Sequence, residues 1–320
     1  MINHSPDPLR KKNLLHIENV YKRYGDRTVL DNVDLSVVKG ELCTLVGPSG
    51  CGKSTLLRLI VGEERQNDGD VLINAEPVGY PNVNRGIVYQ KYSLFPHLTA
   101  LENVLLGKEL EYSLVSRRRA RAEHRDEAMH FLARARIAEH WGKYPHELSG
   151  GMQQRVAIAQ TLIKKPQIVL MDEPFGALDP GVREDMQLLL LELWEEHKMT
   201  IFFVTHDLEE AIYLGTRVVV LSQYYTDDRG DSDAPCRGAR IVADYALPRK
   251  AMSTAVKATP EFGKLIDQVR HDGFDPAYRR HVREFNLTHP DAFQTLLPTE
   301  DKTLAQIQQP ENGTKNLPTH

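Results

Sequence analysis

An α/β fold built on a parallel sheet is predicted, and three observations predict it. Glu41–Val46 is a short apolar run that stops at Gly47. Beyond the glycine-rich stretch 47–52, the segment Ser54–Val61 carries leucines at 56, 57 and 59 with helical character. Ile168–Met171 is continuously apolar, as a strand is when a parallel sheet buries both of its faces. From there, strand and helix patterns alternate with short links. A helix opens at Asp179-Pro180 and runs to about His197, a strand follows at Thr200–Thr205, then a helix at Leu208–Leu214 and a strand at Arg217–Leu221.

The other elements follow in chain order. Residues 1–13 are polar and expected to be loose. Leu15–Tyr21 and Val33–Val38 read as strands, with turn chemistry at Tyr24-Gly25-Asp26. Val71–Ile73 and Gly86–Tyr89 read as further strands. Residues 99–147 are mostly helical by pattern. Thr99-Ala-Leu-Glu opens the stretch with a capping box, and Arg117–Arg136 is charged and alanine-rich. Ser149 opens another helix, expected to reach about Lys164. After Leu221 the character changes. Residues 223–238 set Asp227, Asp228, Asp231 and Asp233 among Gly, Ser and Pro and read as an exposed loop. Ile241–Leu247 reads as a late strand. Residues 260–286 show helical periodicity through Phe262, Leu265, Ile266 and Val269, then Tyr278, Val282 and Phe285. Beyond about 295 the chain is polar and aperiodic, and disorder is expected.

The 320 residues suit one large domain plus an extension, or two modest domains. A hydrophobic share of 41% with 26% charged residues is ordinary for a globular protein, and a net charge of −4 gives no general pull toward nucleic acid or anionic lipid. The longest apolar runs are strand-sized, far from the roughly 20 residues that span a bilayer. The N-terminal residues lack a basic segment followed by an apolar core, so no secretory signal is read. Cys43, Cys51 and Cys236 form neither a disulfide framework nor a paired metal spacing. A reduced cytosolic protein is expected, meeting any membrane through a partner.

Gly47, Pro48, Ser49, Gly50, Cys51 and Gly52 lie between a strand and a helix, the context of a phosphate-binding loop. The glycines let successive N–H groups turn inward, and the helix N-terminus adds to the anion site. Lys53 is expected to neutralise β- and γ-phosphates, Ser54 to offer its hydroxyl to Mg²⁺, and Thr55 to reach the α-phosphate. Asp172 closes the apolar strand, where a carboxylate holds Mg²⁺, usually through water. Glu173 follows, placed to orient and deprotonate an attacking water. Taken alone, Asp172 is as readily a cap for the turn before Pro174. Cys51, at a helix N-terminus, is expected to carry an acidified thiol whose alkylation blocks activity unless ATP protects it. The alternative is that Cys51 supplies only its backbone N–H.

Leu148-Ser-Gly-Gly-Met-Gln-Gln-Arg155 decides the family reading. Together with the phosphate loop it resembles the ABC ATPases over about residues 14–221. That resemblance implies an antiparallel β subdomain and an α-helical subdomain at about 95–160; the pattern of residues 251–320 adds a C-terminal extension, helical then disordered. The ATPase domain itself is expected over 14–250. It implies that Ser149, Gly150 and Gly151 of one subunit close over ATP held by another, with the helix N-terminus favouring the γ-phosphate. It also implies that Tyr24 stacks on adenine, that Gln90 links Mg²⁺ to the transport partner, and that His206 contacts the γ-phosphate. Ala177-Leu178-Asp179 resembles the family's loop between the two sites, with Gly176 where serine is more usual. Asp179 is also explained as a helix cap.

Leu94-Phe-Pro-His-Leu-Thr-Ala-Leu-Glu-Asn-Val104 and His206–Ser222 resemble the nitrate, sulfonate and taurine importer group. The acidic insert at about 223–237 departs from that pattern. Expected partners are a second copy or a paralogue, transmembrane permease subunits and an external solute-binding protein, at the cytoplasmic face of the inner membrane. The ATPase of a separate-subunit exporter or lipid-extraction complex is the alternative, and a soluble non-transport ABC protein a remoter one. The basic run Arg117–Arg125 reads as a solvated helix face partnered by Glu123, Asp126 and Glu127 in preference to a nucleic-acid patch.

Overall fold

The computed structural model describes residues 13–90, 93–109, 114–229, 237–247 and 254–297, together with Glu300. Two sheets carry the fold. β1 (Asn13–Tyr24) and β2 (Arg27–Val38) form an antiparallel hairpin whose turn uses Gly25 at φ 57°. β4 (Asp68–Ile73) and β5 (Glu76–Pro77) extend it to the order β2-β1-β4-β5. The second sheet holds β3 (Leu42–Val46), β6 (Arg85–Val88), β7 (Ile168–Asp172), β8 (Thr200–Val204), β9 (Arg217–Ser222), β11 (Arg240–Ala246) and β13 (Asn286–Leu287). Among the described residues its order is β13-β11-β9-β3-β8-β7-β6. Strands β9, β3, β8, β7 and β6 run parallel, and β11 joins β9 antiparallel.

Burial on both faces explains why the central strands are apolar throughout. One core layer sets Leu15, Ile17 and Leu35 of the antiparallel sheet against Leu45, Leu170 and α1 (Lys53–Val61). On the other face, Met171 and Phe203 pack with α2 (Ala100–Glu109), α3 (Leu114–Arg134), α4 (Gly150–Leu162) and α5 (Pro180–His197). A third cluster joins Val218 and Val242 to α6 (Leu208–Leu214) and α7 (Pro260–Phe274). The expected capping box at Thr99 forms: its N–H donates to Glu102 Oε2 at 2.8 Å, and its hydroxyl accepts from the Glu102 N–H at 3.3 Å. Among the described residues no helix is long and apolar enough to cross a membrane.

Three regions differ from the sequence reading. Helix α3 stops at Arg134, and residues up to Ser149 form turns with short 3-10 segments at Ala138–His140 and Pro145–Glu147. Arg136 takes φ 53°, and Gly142 and Pro145 follow. Helix α7 stops at Phe274 because Pro276 drives Asp275 to extended backbone at φ −90°, ψ 110°. No α-helix therefore continues through Tyr278, and only a 3-10 turn forms at Val282–Glu284. β12 (Arg280–His281) pairs instead with β10 (Tyr225–Thr226), and β13 with β11.

The third difference is burial of residues expected to be solvated. Asp227 of the acidic insert is buried, and both its oxygens accept from Arg229. The Tyr225 hydroxyl donates to Asp31 at 3.0 Å. Past residue 290, the Thr295 N–H donates to Asp34 Oδ2 at 2.6 Å, and buried Glu300 lies 3.2 Å from Arg240. Residues 230–236 and 301–320, with the rest of the insert and the expected disordered tail, lie outside the described residues. So do the side chains at 114–121, which include most of the basic run.

Candidate nucleotide site

Loops from the C-terminal ends of β3, β6, β7 and β8 meet at one edge of the central sheet, where open α/β sheets bind ligands. The phosphate loop leaves β3 at Gly47. A Cβ there would lie 2.0 Å from the Leu221 carbonyl oxygen of β9, so only glycine fits. Gly52 turns into α1 at φ 109°, against Val29 of β2. Lys53 is 8% exposed, and its ammonium lies over the loop, donating to the carbonyls of Gly47 at 2.7 Å and Pro48 at 3.0 Å. A buried cation held only by neutral oxygens is an anion-seeking group.

Asp172 and Glu173 stand at the end of the adjacent strand β7. Burial, the largest influence, pushes the Asp172 carboxyl up; a hydrogen bond from the Ser54 hydroxyl and the Lys53 charge counter it, while Glu173 adds to it. Glu173 adopts φ 46°, a left-handed conformation that a residue with a Cβ reaches only under local strain. Its N–H is pinned to the Val204 carbonyl of β8 at 2.9 Å. Its Oε2 accepts from Gln90 Nε2 at 3.2 Å and lies 3.1 Å from His206 Nδ1. Residues 83 and 33 positions from Glu173 thus converge on one carboxylate oxygen.

The oxygen set suits Mg²⁺. The Ser54 hydroxyl and the Asp172 carboxylate are hard oxygen donors, at the start of α1 and the end of β7. Among the described residues no group of three or more His, Cys, Asp or Glu forms a metal cage. Mg²⁺ fits such a sparse set, since it keeps several waters and takes one or two protein oxygens beside substrate phosphates.

Comparison with known proteins agrees with this geometry. The ABC transporter family model matches residues 30–176. The chain is 46% identical over 217 residues to an uncharacterized ABC transporter ATP-binding protein of Methanocaldococcus jannaschii, covering 67% of this chain and 79% of that one. This chain belongs to the ABC transporter ATP-binding proteins. It is 41% identical to the aliphatic sulfonates import ATP-binding protein of Bacillus anthracis, over 63% of this chain and 77% of the relative. Among solved structures it resembles the dimeric post-hydrolysis state of an ATP-binding cassette bound to ADP and phosphate. There the TM-score is 0.61 at 31% identity, with 74% of this chain and all of the other covered. The protein is an ABC ATPase that binds ATP.

The other expected residues fall in two places. Tyr24 is exposed at the end of β1; its hydroxyl donates to Glu64 Oε2, and the Lys22 ammonium lies 4.9 Å from its ring centre. Burial works against the Glu64 charge, but the Tyr24 hydroxyl, Lys22 and Arg58 outweigh it and hold its carboxyl at about 2. Sequence reading missed Glu64, which stands 40 residues from Tyr24. Ser149 is the N-cap of α4, accepting from the Met152 N–H at 3.3 Å, and Gly150 and Gly151 form the first turn. A Cβ on Gly151 would lie 3.2 Å from Leu178, so the LSGG segment packs beside the loop that carries Asp179. Asp179 holds the N-cap position of α5, but its exposed side chain makes no capping hydrogen bond.

Cys51 corrects an expectation. Its thiol is buried and donates to the Leu221 carbonyl at 3.3 Å. Burial pushes the thiol up, and the nearby Lys53 charge does not reverse that. The helix N-terminus does not acidify a thiol that water cannot reach. Thr205 and Glu210 were also missed as site residues; their only signal is their position on either side of His206.

Proposed function

We propose that this ATPase powers a membrane importer for a small solute of the nitrate, sulfonate or taurine class. Two copies closing around ATP would drive it. The observation that carries the reading is the convergence of Gln90 and His206 on Glu173 beside the phosphate loop. Gly47, Ser49, Gly50, Cys51 and Gly52 offer backbone N–H groups to the phosphates, with Pro48 holding the bend between them, Lys53 its charge, and Thr55 its hydroxyl. Ser54, Asp172 and Gln90 would hold Mg²⁺, which would neutralise phosphate charge when bound. Glu173 orients the attacking water and takes its proton, and His206 faces the γ-phosphate. Tyr24 meets adenine. Ser149, Gly150, Gly151 and Asp179 reach the nucleotide of the second copy, so each site needs both subunits.

The ATPase domain is assigned to residues 14–250, with the helical subdomain at about 95–160 and an extension over 251–320. Exposed Phe95, Trp141 and Tyr144 support a permease partner. Loops 95–101 and 141–143 are bonded together, the N–H groups of Ala100 and Leu101 donating to the Lys143 and Trp141 carbonyls. An apolar surface of this kind suits docking of a permease helix. An external binding protein, and a peripheral place on the cytoplasmic face of the inner membrane, complete the reading.

The test is a pull-down from detergent-solubilised native membranes with Glu173→Gln and ATP. Recovery of a polytopic subunit with a solute-binding protein supports import. A polytopic subunit alone points to export, and recovery of no membrane protein contradicts the transport role.

A further inference from the structure

His206 sits in a loop closed by a single hydroxyl. Thr205, directly before it, donates its Oγ1–H to Glu210 Oε2 at 2.6 Å and accepts from the Asp207 N–H at 3.1 Å. The residues on either side of His206 are therefore clamped together, and Glu210 holds the clamp. The other Glu210 oxygen accepts from Gln187 Nε2 of α5 at 3.0 Å. Asp207, the N-cap of α6, lies 3.8 Å from Arg183, also on α5. Helix α5 begins directly after Asp179. Glu210, Thr205, Asp207, Arg183, His206 and Glu173 line one small cavity.

Burial makes this clamp unusual. Thr205 and Gln187 are each 2% exposed and Glu210 5%. A carboxylate in such a place is unfavourable unless both its oxygens are matched, and an apolar residue would hold α6 to α5 as well. What an apolar residue does not supply is the acceptor that fixes the Thr205 hydroxyl and, through it, the peptide that carries His206.

We infer that Glu210, acting through the Thr205 hydroxyl, is a positioning residue that holds His206 against Glu173 and ties that loop to helix α5 behind Asp179. The inference rests on the reading of His206 given above. Glu210 touches no reacting atom. Its effect is on where the imidazole stands when ATP is bound, and a displacement of about 1 Å in such a group lowers turnover by up to roughly 10²-fold.

The experiment is steady-state ATPase kinetics of the full chain carrying Thr205→Val, Thr205→Ser, Glu210→Ala or Glu210→Gln, each alone and combined with His206→Ala. Thr205→Val and Glu210→Ala are expected to lower kcat by roughly 10- to 100-fold with little change in KM for ATP. Thr205→Ser and Glu210→Gln should restore most of it. The glutamine variant is accommodated because Gln187 Oε1 is buried without a hydrogen-bond partner, and a flip of the Gln187 amide turns that oxygen toward the new NH₂. In the His206→Ala background the loss from Thr205→Val should vanish. If Glu210→Ala does not fold, the near-isosteric Thr205→Val carries the test alone. The inference is overturned if His206→Ala is impaired while Thr205→Val is not, or if the two losses multiply. Full activity of His206→Ala by itself would instead remove the reading on which the inference stands.

Discussion

Two regions of the central sheet handle buried charge in opposite ways. At the strand ends around the phosphate loop, Lys53 is held by backbone carbonyls and Glu173 by an amide and an imidazole. The bonds to Lys53 pair it with no carboxylate. On the flank formed by β11 and the C-terminal segment, the buried arginines meet carboxylates, Arg217 meeting both Asp244 and Glu41. Arg217 donates to Asp244 at 2.7 Å and to the Ser36 carbonyl at 2.6 Å, and Arg240 meets Glu300 at 3.2 Å. Asp34 accepts from the N–H groups of both Asn19 and Thr295. The first region keeps its charges for a ligand that brings its own. The second uses them to fix one chain path.

Glu173→Gln tests the first region with the largest expected effect. Turnover should fall by roughly 10²–10⁴, the range for losing a general base, while ATP binding persists. Normal phosphate release by this variant would mean that another group activates the water.

Glu300→Ala probes the second region next. It leaves the buried Arg240 guanidinium without its carboxylate, which costs about 3–5 kcal/mol. A urea titration should show the midpoint falling, and kcat of the folded protein should stay unchanged. A lowered kcat in fully folded protein would break the contrast, because the C-terminal segment would then act on the site.

The pH dependence of stability sharpens it further. Burial, the largest influence on Asp34, pushes its carboxyl up to about 6 from 3.8, against the two N–H groups that favour its charge. Between those values the folded state binds the proton more tightly than the unfolded state does. Stability therefore falls as pH rises from about 4 to about 6, by at most ~3 kcal/mol for a shift of about two units. Urea unfolding at several pH values should show that slope, and Asp34→Asn should flatten it. A slope unaltered by the substitution would assign it to other groups.

The smallest effect concerns rate alone. Peptide mapping after iodoacetamide treatment at neutral pH should find Cys51 labelled far more slowly in folded protein than in urea, because its thiol is buried and pushed up. Labelling at the rate of a free thiol would show that the phosphate loop opens readily.

The same contrast explains what was legible in the sequence. The phosphate loop, the LSGG segment and the Asp172-Glu173 pair are contiguous runs, and each sits at a strand or helix end that its own flanks specify. The convergence of the phosphate loop with the Asp172-Glu173 pair at the C-terminal ends of parallel strands then follows from the sheet. The C-terminal segment is built from single residues far apart in sequence. Asn32 donates to the Thr295 carbonyl across 263 positions, and Arg240 reaches Glu300 across 60. No periodicity marks such pairs, so a stretch that packs through backbone groups and isolated charges looks aperiodic. The end of α7 was readable at Asp275-Pro276, where proline excludes the helical conformation from the residue before it. The Thr205–Glu210 clamp lies within a helix-turn distance of His206, yet nothing local distinguishes its buried glutamate from the exposed Glu209 beside it.

The most direct test is sedimentation velocity of Glu173→Gln with ATP and Mg²⁺, with and without Ser149→Arg. A site completed by the LSGG segment of a second copy requires a dimer that forms with ATP and is lost when arginine stands at 149. A monomer that binds ATP, or a dimer indifferent to the change at 149, would contradict it.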